Sequence, residues 1–254
     1  MSHPTTFSGQ IALVTGASSG IGLASAQALL EQGAHRVYIT GRDAARLQQA
    51  AAQLGERAYP IQADSSQLAD LEKMRSIIAA QGDRLDVLFV NAGVAHYNVT
   101  GQTSEAEYAR IFDTNVKGVF FTVQSLLEQL NDGASIVLNA SVASHKGMPG
   151  LALYNASKAA VRSFARTWAA DLKPRAIRVN AISPGVTLTA IQAGGLGLSE
   201  EQIAGLGEFV KEAVPAARMA APAEIAAAVT FLASRAASYI NGIELDVDGG
   251  FTQI

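Results

Sequence analysis

The chain has 254 residues, 49% of them hydrophobic, with 19 Lys and Arg against 22 Asp and Glu for a net charge of -3; one α/β unit with a large core fits these figures, and the scattered basic residues form no stripe for nucleic acid. Cysteine is absent, which removes disulfides, thiolate zinc sites and a cysteine nucleophile together, and histidines 3, 35, 96 and 145 lack metal-ligand spacing, so no metal is expected. The polar start MSHPTTFSGQ has no signal-peptide pattern and no apolar run approaches membrane-spanning length, so the expected location is cytoplasmic, with no membrane partner.

In chain order, near-continuous apolar runs predict strands at 11–15, 36–40, 58–62, 85–90, 134–139, 177–183 and 242–247, the pattern of a parallel sheet covered on both faces. Helices are predicted between them at 20–32, 43–54, 66–80, 104–130, 154–172 and near 223–233. Ser104 and Glu107 fit a capping box, and Pro174 marks the end of another helix. This alternation predicts an α/β fold over 1–254: a single-domain, doubly wound, Rossmann-type sheet of seven parallel strands with helices on both faces. Its ligands should sit beyond the carboxyl ends of the strands. The stretch 189–213, with glycines at 194, 195, 197, 205 and 207, is too long for a simple connection and is expected to form a substrate lid.

The octet TGASSGIG at 15–22 admits two readings. Gly16-Ala17-Ser18-Ser19-Gly20 spells the nucleophile elbow of a serine hydrolase, while Gly16, Gly20 and Gly22 spell a loop that seats phosphates against bare backbone. An elbow needs a late histidine as base, and none follows His145. The octet also follows the first strand, where a hydrolase has several strands before its elbow. Gly22 has no part in an elbow but permits close helix-strand packing in a dinucleotide loop, whose helix start meets the pyrophosphate.

In YNASK at 154–158, Tyr154 and Lys158 are four apart and share one helix face. A phenol with a reference pKa of roughly 10 exchanges protons near neutrality only when a nearby cation stabilises its phenolate, and lysine at that spacing supplies the charge. Ser141 ends the fifth strand, Asn115 falls within the long predicted helix, and NAG at 91–93 follows the fourth strand. Each alone is compatible with a merely structural role.

Together these residues carry a resemblance. TGASSGIG, NAG, Asn115, Ser141, YNASK, Ser183-Pro184-Gly185 and the ending INGIELDVDGG at 240–250 fall in the order and spacing of the short-chain dehydrogenases/reductases, and the chain closely resembles the compact single-domain branch of that family over residues 7–251. The resemblance implies that Tyr154 exchanges a proton with the substrate oxygen as general acid/base, that Lys158 lowers its pKa and binds the nicotinamide ribose, and that Ser141 orients the same oxygen. It implies that Asn115 holds a water in a proton relay. For the cofactor it implies phosphate-loop contacts from Gly16, Ser18, Ser19, Ile21 and Gly22, adenine contacts from Asp64 and Ser65, and adenosine-side contacts from Asn91, Ala92 and Gly93. Gly185, Val186, Thr187 and Thr189 are implied at the carboxamide and pyrophosphate. Thr187 stands where relatives often have an aliphatic residue, and Ala140 departs from the commoner serine.

NAD-specific relatives place a carboxylate at the end of the second strand. Here Gly41 holds that position and Arg42 follows. A guanidinium some 4 Å from a phosphate is worth roughly 4 kcal/mol before desolvation, at an effective dielectric near 20, so NADP(H) is the expected cofactor, with NAD(H) possible. The resemblance thus implies an NADP(H)-dependent oxidoreductase interconverting a ketone, aldehyde or 3-oxoacyl group and its alcohol. The alternative is a cofactor-binding regulatory protein of the same fold without turnover. The expected pocket wall is Val94, His96, Ala143, His145, Leu151, Val186 and Ile191. A homo-oligomer, tetramer or dimer, is implied through the helices at 104–130 and 154–172, where Ala156, Ala159 and Ala160 allow close approach.

Overall fold

The computed structural model describes residues 6–189 and 191–254; His3, Ala190 of the expected lid and the side chain of Ala193 lie outside the described residues. The strands are β1 (Ile11–Val14), β2 (Arg36–Gly41), β3 (Ala58–Gln62), β4 (Leu85–Val90), β5 (Leu130–Asn139), β6 (Arg178–Pro184) and β7 (Glu244–Val247). They pair in parallel as one sheet of order β3-β2-β1-β4-β5-β6-β7. The order reverses between β1 and β4, which opens a crevice beyond their carboxyl ends.

The helices are α1 (Gly20–Glu31), α2 (Ala44–Leu54), α3 (Leu68–Ala80), α4 (Glu105–Phe112), α5 (Val119–Leu126), α6 (Ala152–Asp171), α7 (Ile191–Gly194), α8 (Glu200–Ala213) and α9 (Pro222–Ala233). Side chains alternate across each strand, so the two sheet faces build two separate cores. Val14, Ile39, Phe89 and Val137 meet Leu29 of α1, Leu47 of α2 and Ile225 and Leu232 of α9. Leu13, Tyr38, Leu88 and Ile136 meet Met74 of α3, Val123 of α5 and Val161 of α6. With both faces covered, the strands carry apolar side chains on both sides, which is why they read as continuous runs.

Two boundaries differ from the sequence expectation. The helix expected over 104–130 is broken: α4 leads into a π-helical turn at Asp113–Gly118, then α5, then a 3-10 turn at Leu127–Gln129. The wide turn brings Gly118 against Ser65, where a β-carbon would sit 2.5 Å from the Ser65 carbonyl oxygen. At the start of α4 the expected capping box is present, with Glu107 N–H donating to Ser104 Oγ at 3.3 Å and Ser104 N–H donating to Glu107 at 2.7 Å. Strand β5 starts at Leu130 rather than 134 because Leu130 pairs with Leu85 ahead of a bulge, after which Ser135 pairs with Val87. Asn131-Asp132-Gly133, turn-like as sequence, is therefore strand, with Gly133 supplying a φ of +79°. Among the described residues no helix is long and apolar enough to cross a membrane.

Candidate active site

A cleft of about 570 Å³ opens at the carboxyl edge of the sheet, across the β1/β4 reversal. Its floor is tied together by side chains from the strand ends. Thr15 Oγ1 accepts from the Asn91 and Ala92 N–H groups at 2.9 and 3.0 Å. Asn91 Nδ2 donates to the Thr15 and Gly16 carbonyls at 2.9 and 3.1 Å, and Asn139 Nδ2 donates to Asn91 Oδ1 at 2.9 Å. The ends of β1, β4 and β5 are thus held in register by half-buried amides, which cannot shift without leaving polar groups unpaired.

The glycine loop is built for close approach. Gly16 takes a φ of +63°, and a β-carbon there would lie 2.8 Å from Ala92 Cα. One on Gly22 would lie 2.5 Å from the Gly16 carbonyl oxygen and 2.6 Å from Asn91 Nδ2. Gly22 therefore packs beneath the loop and does not line the cleft, whereas Gly16, Ser18, Ser19 and Ile21 do. Ser19 sits at the N-cap of α1 with its hydroxyl unused for capping. A loop whose β-carbons are excluded by backbone, opening on a helix start, fits a dinucleotide pyrophosphate.

At the far end, Gly41 rests against Ser18, where a β-carbon would be 3.3 Å from Ser18 Oγ. Arg42 lines the cleft there, and so does Arg46 from the first turn of α2. Asp43, the residue after Arg42, is turned to α2: it caps Arg46 N–H at 3.1 Å and lies 3.4 Å from Arg46 Nε. Arg46 escaped the sequence reading; it stands in the first turn of the helix that follows Arg42. Asp64 and Ser65 line the adjoining wall, with Asp64 also accepting from the Ser66 N–H and hydroxyl at 2.9 and 2.8 Å.

Ser141, Tyr154 and Lys158 come together at the other end. Ser141 caps the 3-10 turn Val142–Ser144, its Oγ accepting from Ala143 N–H at 3.2 Å. Tyr154 and Lys158 lie on one face of α6, Lys158 Nζ standing 5.8 Å from the Tyr154 ring centroid. Lys158 is only 4% exposed and donates to the Asn139 carbonyl at 2.7 Å. Burial lowers the Lys158 ammonium to about 8. Tyr154 keeps some accessible surface yet lies deep in the cleft, and burial raises its phenol, against the opposing hydrogen bond from Ser141. In the protein alone, desolvation is the largest influence on this phenol.

Asn115 lies in the π-turn, fully buried and outside the cleft. Its Oδ1 accepts from Val94 N–H at 2.8 Å, and its Nδ2 donates to the Val94 carbonyl at 2.8 Å and to Ser157 Oγ at 3.0 Å. The side-chain amide is thus spent on protein groups, bracing the 91–94 loop against α6. A β-carbon on Gly93 would fall 3.3 Å from Asn115 Oδ1 and 3.4 Å from Lys158 Nζ.

The expected wall is partly corrected. Val94, Leu151, Val186 and Ile191 line the cleft, but His96, Ala143 and His145 do not. His145 turns to β7, 3.6 Å from Glu244 and 3.7 Å from Asp246. These three offer ligand atoms within 4.8 Å of one another, yet Glu244 is already ion-paired with Arg162 and accepts from Ser183 Oγ at 2.5 Å. Tyr97, Met148, Leu196, Leu198 and Leu206 take the wall positions instead. The last three come from the 189–213 stretch, which holds α7 and α8 and reaches over the cleft. Gly185, Val186, Thr187 and Thr189 line its base.

The family model described as enoyl-(acyl carrier protein) reductase matches residues 16–252, and the structure of a short-chain type dehydrogenase/reductase from Mycobacterium marinum is 33% identical, with a TM-score of 0.88 over 98% of this chain and 97% of that one. The chain is a short-chain dehydrogenase/reductase. Within that family it is similar to an oxidoreductase of Sarocladium schorii, 37% identical over 256 residues and 100% of both chains. The cyclopentanol dehydrogenase of Comamonas sp. is 36% identical over 248 residues, 96% of this chain and 97% of that one. This short-chain dehydrogenase/reductase is accordingly an oxidoreductase acting on alcohol and carbonyl substrates, in a family that uses NAD(P)(H).

Proposed function

We propose that the enzyme is NADP(H)-dependent and interconverts a ketone, aldehyde or 3-oxoacyl group with its alcohol, Tyr154 serving as general acid/base. The carrying observation is one cleft with Ser141, Tyr154 and Lys158 at one end and Arg42 and Arg46 at the other, joined by the glycine loop. The dinucleotide, when bound, supplies or accepts the hydride. Gly16, Ser18, Ser19 and Ile21 would hold its pyrophosphate, Arg42 and Arg46 its 2'-phosphate, Asp64 and Ser65 its adenine, and Thr187 and Thr189 its carboxamide end.

The protein's own part is proton handling and exclusion of water. A phenol raised by burial keeps its proton at neutral pH, which suits donation from Tyr154 Oη to a carbonyl oxygen held by Ser141. As that proton leaves, the Lys158 ammonium stabilises the phenolate; with a pKa of about 8, Lys158 exchanges protons close to neutrality and relays one back. Leu151, Met148 and Leu206 line the substrate end, so an apolar body beside the carbonyl fits best. The decisive assay is NADPH consumption with a panel of cyclic and linear ketones, repeated with Tyr154→Phe. A loss of about 10²- to 10⁴-fold with unchanged NADPH binding is expected; equal turnover by the variant refutes the assignment.

We further propose one dinucleotide-binding domain with its lid at 189–213, a cytoplasmic enzyme, and a homo-oligomer paired through α5 and α6. Phe120 of α5 packs on Phe164 and Trp168 of α6, whose rings stack at 4.8 Å, and all three remain partly exposed. Sedimentation of a monomer at micromolar concentration would remove that last element.

A further inference from the structure

Gln192, in the first turn of α7, is polar, in the lid, and only 5% exposed. Its side chain spends its amide on the loop before it. Nε2 donates to the Thr187 carbonyl at 2.6 Å, and Oε1 accepts from both the N–H and the hydroxyl of Thr189 at 3.2 Å. Its backbone carbonyl accepts from Leu198 N–H at 3.0 Å, closing the far side of the lid on the same residue.

The loop so gripped is fixed from two other directions. On its outer side Leu188 N–H donates to the Ala220 carbonyl at 2.9 Å, and Ala220 N–H donates to the Val186 carbonyl at 2.9 Å. On its inner side Thr189 rests on the glycine loop, where a β-carbon on Gly20 would touch Thr189 Cγ2 at 3.3 Å. Next to Gln192, Ile191 lines the substrate end of the cleft, and Gly195 packs so closely on Ala95 that a β-carbon would lie 3.2 Å from its carbonyl oxygen. One buried amide therefore joins the lid to the two threonines that face the cofactor end of the cleft.

We propose that Gln192 is a positioning residue: it sets the Thr187 carbonyl and the Thr189 hydroxyl for the nicotinamide half of the dinucleotide and couples their placement to the seating of the lid. The assignment rests on the proposed dinucleotide reading of the cleft. It makes a one-sided claim, since the adenosine half would be held by Arg42, Arg46, Asp64 and Ser65 and by none of the residues Gln192 grips.

The test is equilibrium binding of two probes, NADPH and adenosine 2',5'-bisphosphate, to the parent, to Gln192→Met and to Gln192→Glu. Methionine keeps the length and removes every bond; glutamate keeps the acceptor for Thr189 but sets an oxygen against the Thr187 carbonyl. Gln192→Met should weaken NADPH about tenfold or more, through the loss of the three hydrogen bonds that hold Thr187 and Thr189 in place, and leave the bisphosphate unchanged. Gln192→Glu should fall between parent and methionine. Equal weakening of both probes marks a merely structural role and overturns the proposal, as does no weakening of either. If Gln192→Met does not fold, the same ratio read on Gln192→Glu decides. A parent that binds neither probe refutes the dinucleotide reading instead, so the two failures are distinct.

Discussion

Replacing Gly22 with alanine tests whether the glycine loop is shaped by backbone contact. The new β-carbon would stand 2.5 Å from the Gly16 carbonyl oxygen, 2.6 Å from Asn91 Nδ2 and 2.9 Å from Ala17 Cα. None of these is the end of a freely moving side chain, because Asn91 Nδ2 is itself held to the Thr15 and Gly16 carbonyls. Overpacking costs about 1–3 kcal/mol, and displacing Asn91 forfeits one or two hydrogen bonds at about 1 kcal/mol each. Alanine recovers up to about 1 kcal/mol of helix propensity in α1, leaving a net loss of roughly 1–4 kcal/mol. For a chain of this length that is a fall in Tm of about 2–16 °C, with NADPH binding weakened in parallel. The control is Gly147→Ala, where no atom lies within 4 Å and the backbone is ordinary, so melting should not move. Differential scanning calorimetry and a fluorescence titration read both effects. A Gly22→Ala protein that melts and binds like the parent would refute the packing argument.

Arg42→Ala and Arg46→Ala should each lower the NADPH over NADH ratio of kcat/KM by about tenfold, and more together; unchanged ratios would return the preference to NAD(H). Lys158 has an ordinary pKa of 10.5 unfolded but about 8 when buried, so between those values the unfolded chain binds the extra proton and stability rises with pH. Lys158→Met should therefore stabilise the cofactor-free protein at pH 7 by up to roughly 3 kcal/mol, a gain that fades as pH climbs from 8 past 10; urea unfolding across that range that shows no such fading would contradict it. Ser104→Ala should cost about 1 kcal/mol, or about 2–4 °C, by removing the cap of α4 without touching turnover.

The strands were legible because a sheet covered on both faces needs apolar residues on every step, and β1, β2, β3 and β4 emerge within a residue of the runs that predict them. What hid from the sequence depended on local winding or on which way a loop turns. Hydrophobic spacing over 104–130 does not register one wide turn, so the π-turn around Asn115 was invisible, and with it the direct bonds from Asn115 to Val94 and Ser157. His145 is expected in the wall, but the 3-10 turn at Val142–Ser144 sends it to β7. The face shared by Tyr154 and Lys158 follows from their spacing, while the burial that raises the phenol depends on the depth of the cleft. Gln192 had no signal at all, since nothing in its neighbours marks it as buried.

The wide turn at Asp113–Gly118 has a consequence for insertions and deletions. A π-helical turn holds one residue more than an α-turn for about the same rotation, so deleting one here would leave α4 and α5 in register while dismantling the wide turn that carries Asn115 to Val94 and Gly118 to Ser65. Adding one would instead rotate α5 by about 100°, taking Val123 out of the core and Phe120 off its aromatic neighbours. Solvent-facing positions such as Asp113 and Lys117 can change identity freely, but the spacing between α4 and α5 cannot change by a single codon.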